Sequence, residues 1–223
     1  MGILIWRKVQ QKKIEKLRLI RREIMCGRYT TNTEDEILEI RDIVEDIKIK
    51  ISQDEYQFLG KEVYPSCLAP VITKSKELRV LKWGFKKWDG KGLIFNARSE
   101  GIETSKYFNP HVNENRCLIP AKLYFEWEKE DGKVIDKYQI KDANSELILM
   151  AGIVKKNDEG QEEYTIITKA AEEELSFIHE RMPVIVDYDK AIRWLDGTIP
   201  VEEILKNQIV MNYQVTEKKV RAV

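Results

Sequence analysis

Arg116-Cys117-Leu118-Ile119-Pro120-Ala121-Lys122-Leu123-Tyr124-Phe125-Glu126-Trp127-Glu128 is the stretch on which the fold turns. Its apolar and aromatic residues fall into short runs, too short for helices and suited to strands. Working outward, the same character recurs at Val134–Ile140, Leu147–Val154 and Glu163–Thr168, and upstream at Glu77–Trp83 and Leu93–Ala97. Asp131-Gly132 and Glu159-Gly160 read as hairpin turns between these runs. Cys26–Thr31 has strand character, Asp46–Ile51 alternates isoleucine with polar residues, and Gln208–Val215 fits a last strand. Glu62–Pro70 carries two prolines and reads as an extended loop. Helices are expected at Glu34–Val44, where Thr33 and Glu36 have the spacing of a capping box, and at Glu172–His179, Tyr188–Leu195 and Val201–Lys206. Strands outnumber helices. The pattern predicts an α+β fold, a curved and mostly antiparallel sheet or open barrel with a few flanking helices.

The chain has 223 residues, 43% hydrophobic and 34% charged. That is enough for one core, and the reading is a single domain over 25–223 preceded by an extension at 1–24. The three cysteines, Cys26, Cys67 and Cys117, form no CxxC pair and leave an odd number. This argues for a reducing cytoplasm rather than a disulfide framework. With only His111 and His179 to join them, no ligand pair has close metal-site spacing, so neither metal nor cofactor is expected. No apolar run reaches 18 residues, so no membrane span is expected. The formal net charge of zero divides into +6 on residues 1–24 and −6 on the remainder. An acidic body is a poor non-specific nucleic-acid binder, so any contact with DNA must come from a local cluster or a covalent bond. The expected state is a monomer.

The extension opens Met1-Gly2-Ile3-Leu4-Ile5-Trp6 and continues as a basic run. It lacks the length and cleavage site of a signal peptide, and Trp6 stands where myristoylation wants Ser or Thr. Ile14, Leu17, Ile20 and Ile24 recur at helical spacing, as in a basic amphipathic helix. Arg21-Arg22-Glu23 can also be encoded by purine-rich codons resembling a ribosome-binding site. On that reading Met25 is the native start and the extension is a translated leader.

Met25-Cys26-Gly27-Arg28-Tyr29 would then acquire particular chemistry. Trimming Met25 leaves Cys26 with a free α-amine beside its thiol. The amine condenses with an aldehyde to an imine, and the thiol closes on the imine carbon as a thiazolidine. The ordinary pKa values, about 7.7–8.0 for the amine and about 8.5 for the thiol, leave both groups usable near neutral pH. The plainer alternative is a buried structural cysteine at the head of a strand.

Four segments carry the remaining candidate chemistry. They are Cys26-Gly27-Arg28-Tyr29; Lys82-Trp83-Gly84-Phe85 with Trp88 and Phe95-Asn96-Ala97-Arg98-Ser99-Glu100; Arg116-Cys117-Leu118-Ile119-Pro120-Ala121 with Tyr124-Phe125-Glu126-Trp127; and Ile178-His179-Glu180-Arg181-Met182-Pro183. Together, in this order, they resemble the SRAP family of SOS-response-associated, abasic-site-processing proteins. The sequence departs from the family pattern at Ser66-Cys67-Leu68-Ala69-Pro70 and at Leu123, which stands where a glycine is usual.

The resemblance implies covalent capture of ring-opened abasic sites in single-stranded DNA, with Cys26 as the trap. It also implies a lyase activity and a self-processing peptidase activity that exposes Cys26. Asn96 would hold the amine or the sugar hydroxyl. Glu126, among aromatic neighbours, would exchange protons with the ring oxygen and the amine, and His179 would shuttle protons. Arg28 and Arg98 are candidate phosphate clamps, since a guanidinium fork matches phosphate. Trp83, and secondarily Trp88, would stack on bases. Trp127, Cys67 and Cys117 are assigned to packing and His111 to a loop. Two other functions compete: a thiol hydrolase acting in trans with Cys26, His179 and Glu126, and a non-catalytic single-strand binding module. Blocking the amine while sparing the thiol separates capture from hydrolysis. Cys26→Ala separates both from mere binding.

Overall fold

The computed structural model describes residues 26–44, 47, 52, 54–130, 133–207 and 209–218. In chain order the elements are β1 (Tyr29–Thr30), α1 (Glu34–Ile43), β2 (Glu62–Val63), β3 (Leu68–Thr73), β4 (Leu78–Trp83), β5 (Phe85–Lys86), β6 (Leu93–Ile94) and β7 (Asn96–Arg98). There follow α2 (Asn109–Glu114), β8 (Arg116–Ala121), β9 (Leu123–Glu130), β10 (Lys133–Asp142), β11 (Ile148–Lys156) and β12 (Glu162–Ala170). The last are α3 (Glu173–Ser176), β13 (Arg181–Pro183), α4 (Tyr188–Asp196), α5 (Val201–Leu205) and β14 (Met211–Lys218). The expected α+β class is observed.

Five strands run β11-β8-β3-β4-β12, and β12 pairs back onto β11, so the ring closes as a barrel. Closure leaves fewer strand edges open to other chains. Most pairings are antiparallel; β12 is parallel to β4 and to β7. The end of β12 extends past the ring, where Thr168 faces Arg98 on one side and Pro183 on the other. A second sheet runs β14-β10-β9-β1-β2. The chain crosses from barrel to second sheet at Lys122, in the stretch that opened the sequence reading.

All of β8 is buried because both its faces are covered. Leu118 joins one apolar cluster with Ile37, Ile72, Val184 and Trp194. Cys117, Ile119 and Ala121 join the other, with Tyr29, Trp83, Tyr124 and Tyr164. A strand buried on two faces reads as a continuous apolar run, which is how it appears in the sequence. Gly152 makes the closure possible. It pairs with Cys117 of β8 and with Ile166 of β12. A Cβ there would lie 2.4 Å from Ile119 Cδ1 and 2.8 Å from the Thr165 carbonyl oxygen. Gly152→Ala is therefore expected to lower stability by about 3 kcal/mol. Urea unfolding checks it, and an unchanged midpoint would show that the seam has slack.

Helix α1 begins with the expected capping box: Thr33 N donates to Glu36 Oε2 at 2.9 Å, and Glu36 N donates back to Thr33 Oγ1. Several expectations need correction. Pro70 lies inside β3 rather than in a loop. It pairs with Val80, while pairing of β3 to β8 starts only at Ile72, so its missing N–H leaves no ladder bond broken. The helix expected at Glu172–His179 is confined to Glu173–Ser176, and the next residues turn so that β13 can join β12. His111 lies in α2, packed against the rings of Phe85 and Tyr107, not in a loop. The strand expected at Asp46–Ile51 and the readings of residues 1–24 fall outside the described residues. Among the described residues no helix is long and apolar enough to cross a membrane.

Candidate active site

Cys26 lies three residues before the start of β1, which is only two residues long but sits between β9 and β2. Tyr29 faces Tyr124 and Val63, and the Phe125 N–H donates to the Arg28 carbonyl at 2.8 Å. These contacts fix the chain just downstream of the cysteine. Cys26 itself is 3% exposed and has a φ of 43°, left-handed backbone that a residue with a Cβ adopts only at a cost. Its backbone nitrogen donates to Glu126 Oε1 at 2.6 Å. Its thiol donates to the Arg181 carbonyl at 3.6 Å.

Glu126 is 1% exposed, on β9 directly opposite Tyr138 of β10. Burial pushes its pKa up to about 7, an effect only partly offset by Cys26 beside it and by Lys129. Oε2 is buried with no hydrogen-bond partner among the described residues. A carboxyl near neutrality exchanges protons readily at the pH of a cell. Burial, reinforced by Glu126, pushes the Cys26 thiol well above its ordinary value. The resting sulfur is thus a thiol.

His179 reaches the same place through Arg181. The Arg181 N–H donates to His179 Nδ1 at 3.0 Å, while the Arg181 carbonyl receives the Cys26 thiol. With Nδ1 accepting, the ring proton sits on Nε2. Burial lowers the His179 pKa, as does nearby Lys129, so the imidazole is neutral at pH 7. The guanidinium of Arg181 pairs with Glu100 through two nitrogens and donates to the Thr168 carbonyl at 2.7 Å. Hydrogen bonds from Arg181 hold the Glu100 carboxyl down at about 2. Arg181 thus ties β13 to β12 and to the turn after β7 while its backbone sets both Cys26 and His179.

Cys26 and Glu126 are in direct contact, and His179 is linked to Cys26 through the Arg181 backbone. Asn96 is half-buried on β7, opposite Ile166 of β12, in the barrel sheet rather than in the sheet of Glu126. Arg98 is exposed at the end of β7, and its register partner Thr168 carries the contact to Arg181. Arg28 forms an ion pair with Glu62 and lies over the Trp127 ring, 5.4 Å from its centre. Trp83 requires correction as a base-stacking surface. It is fully buried, donates from Nε1 to the Phe95 carbonyl at 2.8 Å, and packs between Tyr29 and Tyr164. Trp88, in the β5–β6 turn with Lys86, Lys87 and Lys91, is instead 96% exposed.

Two neighbours of the centre were not picked out from sequence. Arg181 stood in the His179-Glu180-Arg181-Met182-Pro183 segment, but only the fold shows its backbone serving two partners. Tyr124 lies two residues before Glu126 on the same face of β9. Its hydroxyl is buried without a partner among the described residues. The i, i+2 spacing was legible, and the missing partner was not.

The whole places Cys26, at the junction of a closed barrel and a second sheet, against a buried carboxylic acid and, through the backbone of Arg181, near a neutral imidazole. Residues 25–223 match the family model for SOS response associated peptidase (SRAP), and the chain belongs to that family. It is 33% identical over 191 residues to the abasic site processing protein YoqW of Bacillus subtilis, covering 77% of this chain and 80% of that one. It is 30% identical over 188 residues to the abasic site processing protein YedK of Escherichia coli, covering 80% and 83% respectively. With the abasic site processing protein HMCES of Gallus gallus it shares 32% identity over 167 residues, 60% of this chain and 50% of that protein. The fold is shared with a crystal structure of a protein from Bacteroides thetaiotaomicron at a TM-score of 0.73 and 22% identity, over 86% of this chain and 92% of that one.

Proposed function

We propose that this protein processes abasic sites in DNA, as its relatives are named for doing, by trapping the ring-opened sugar aldehyde of a single strand on an uncapped Cys26. The observation that carries the reading is the 2.6 Å contact between the Cys26 nitrogen and Glu126 Oε1. Once that nitrogen is an amine, the same carboxylate takes a proton from the ammonium. The amine then adds to the aldehyde carbon. Protonated Glu126 gives its proton to the departing hydroxyl, water leaves as an iminium forms, and the carboxylate then takes the iminium N–H proton, so an imine remains. The thiol adds to the imine carbon as its proton passes to the nitrogen. The product is a thiazolidine, and the balance is one water released and the ammonium's proton left on Glu126. His179, as the neutral Nε2–H tautomer, donates to the sugar oxygen during ring opening. If the iminium instead loses its C2′ proton to the Glu126 carboxylate, the C3′–O bond breaks, its electrons leave with the 3′ phosphate, and the strand is cut.

Residue 26 carries Met25 in the full sequence, so its nitrogen is an amide. Starting at Met25 and trimming that methionine, or cutting the 25–26 bond of the longer chain, would free it. The left-handed φ of Cys26 carries a conformational cost that would be relieved once nothing precedes the residue. The raised thiol pKa speaks against a thiol hydrolase in trans, since the thiolate is the nucleophile such enzymes need. Exposed Trp88 and its lysines supply a stacking and phosphate surface on an otherwise acidic body, with Arg28 and Arg98 as clamps. The expected working form is a cytoplasmic monomer acting on single-stranded DNA without metal or cofactor.

The test is expression from Met1 and from Met25, with mass determination of each N-terminus and incubation with abasic single-stranded DNA. The form that begins at Cys26 should give a species that survives denaturing gels, and the form retaining Met25 should not. Failure of both to shift removes the reading. Equal shifts with the amine still capped would show that the amine is not the trap.

A further inference from the structure

The face of the second sheet opposite Glu126 carries a cluster that the capture chemistry does not use. Lys137 faces Trp127 on one side and Glu217 on the other, and Glu62 faces Thr30. The Lys137 side chain is only 10% exposed; its ammonium lies 4.3 Å from the centre of the Phe125 ring and 5.8 Å from that of Trp127. Arg28 covers the same Trp127 ring. Both cations converge on one carboxylate: Arg28 Nη1 pairs with Glu62 Oε1, and Lys137 Nζ lies 3.9 Å from Glu62 Oε2. Glu217, 72% exposed, touches Lys137 alone at 3.4 Å.

An ammonium sunk among aromatic rings needs an anion, and a guanidinium beside it adds a second charge to the same point. Such a seat suits any singly charged oxyanion with two free oxygens. A carboxylate fills it from within; a phosphodiester has the same charge and the oxygen geometry that a guanidinium fork prefers. Arg28 is two residues from Cys26, so its Cα lies within about 7 Å of that of the reactive residue along the chain, while its side chain reaches the other face of the sheet.

We propose that Arg28, Lys137 and the Trp127 face form a seat for a backbone phosphate of the bound strand, and that Glu62 occupies this seat until DNA displaces it. This rests on the reading of the protein as a DNA-processing enzyme and adds the site and its built-in competitor. Displacing one monoanion by another releases no extra counterion, so the seat adds little to the salt dependence of binding in the wild type. Neutralising Glu62 changes that. Glu62→Gln keeps a hydrogen-bond partner for Arg28 but lets the two cations attract counterions, which the phosphate then releases.

The experiment measures binding of an undamaged single-stranded oligonucleotide across a salt series by fluorescence anisotropy. Glu62→Gln should bind about five- to tenfold tighter at low salt, with a log–log salt slope steeper by about 0.7 for one additional phosphate contact on a single strand. Arg28→Gln added to Glu62→Gln should return the slope toward the wild-type value. Glu217→Gln removes the same formal charge nearby and should have a much smaller effect. Unchanged or weaker binding by Glu62→Gln would show that Glu62 merely holds Arg28, and an equal gain from Glu217→Gln would reduce the effect to net charge. Either result overturns the seat. The capture reading fails separately, when the uncapped wild type gives no crosslink to abasic DNA.

Discussion

Cys26→Ala, made in the form that begins at residue 26, loses the heat-stable adduct with abasic DNA completely. The alanine variant keeps its α-amine, so it still condenses with the aldehyde; borohydride added during incubation therefore recovers a reduced crosslink. Cys26→Ser behaves in the same way, with an amine but no sulfur to close the ring. The form that begins at Met1 and keeps the 25–26 bond recovers no crosslink at this site under borohydride, because the nitrogen of Cys26 is an amide and no α-amine lies beside it. This pattern assigns the first bond to nitrogen and the second to sulfur. Heat-stable adduct from Cys26→Ala at the wild-type level would show that another residue is the trap. The substitution removes a nearly buried sulfur, and a loss of stability of about 1 kcal/mol accompanies it. Thermal melting separates that loss from the chemical one.

Glu126→Gln carries the second-largest effect, and it has a signature in both rate and stability. As a positioned acid–base, Glu126 contributes about 10²- to 10⁴-fold, so crosslinking at saturating DNA falls by that factor. Wild-type rates should fall below about pH 7, where protonation of the pair removes the carboxylate that accepts the ammonium proton. An ammonium in place of the amide pulls that limb lower still, and the two groups titrate as a unit. In Glu126→Gln the ammonium must lose its proton to solvent, and the acid limb moves up toward the amine's own pKa, about 8. The stability argument has a definite sign. Burial raises the folded-state pKa to about 7, above the unfolded value, so the folded state binds more protons between the two. The uncharged carboxyl is fully tolerated below the unfolded pKa, and stability is lost as pH rises through about 7. Glu126→Gln should therefore gain about 2–3 kcal/mol over the wild type at pH 8 and little at pH 4. Urea unfolding of both proteins at those pH values checks it. Equal differences at the two pH values would show that the carboxyl does not change charge on folding.

Much of the fold was legible because strand period and turn chemistry are local. The runs at Leu123–Glu128, Val134–Ile140 and Leu147–Val154 fall within longer strands or overlap them by all but an end residue. Closure of the ring was not legible, because it depends on the absence of a side chain at Gly152, where β8, β11 and β12 meet. Pro70 misled for a related reason: a proline argues against a strand unless its nitrogen faces an unpaired edge, and pairing is a tertiary fact. At the site, the choice of Cys26, Glu126 and His179 was reachable from four segments in order, and the structure puts Cys26 on Glu126 and links it to His179 through Arg181. Trp83 was misread because an indole flanked by Lys82 and Gly84 gives no local sign of which face is covered. The role of the Arg181 backbone has no sequence signature, since every residue has an N–H and a carbonyl.

The placement of β1 has a mechanical corollary. The residue bonded to DNA would lead directly into a strand hemmed in by β9 and β2, whereas β14 is an outer strand of the same sheet. A protein-unfolding machine drawing on the C-terminal side must strip β14, then β10, then β9 before β1 loses its neighbour. On the capture reading, the residue joined to the strand would therefore be among the last in this sheet to lose its packing, and the lesion would stay covered while most of the polypeptide is already being dismantled.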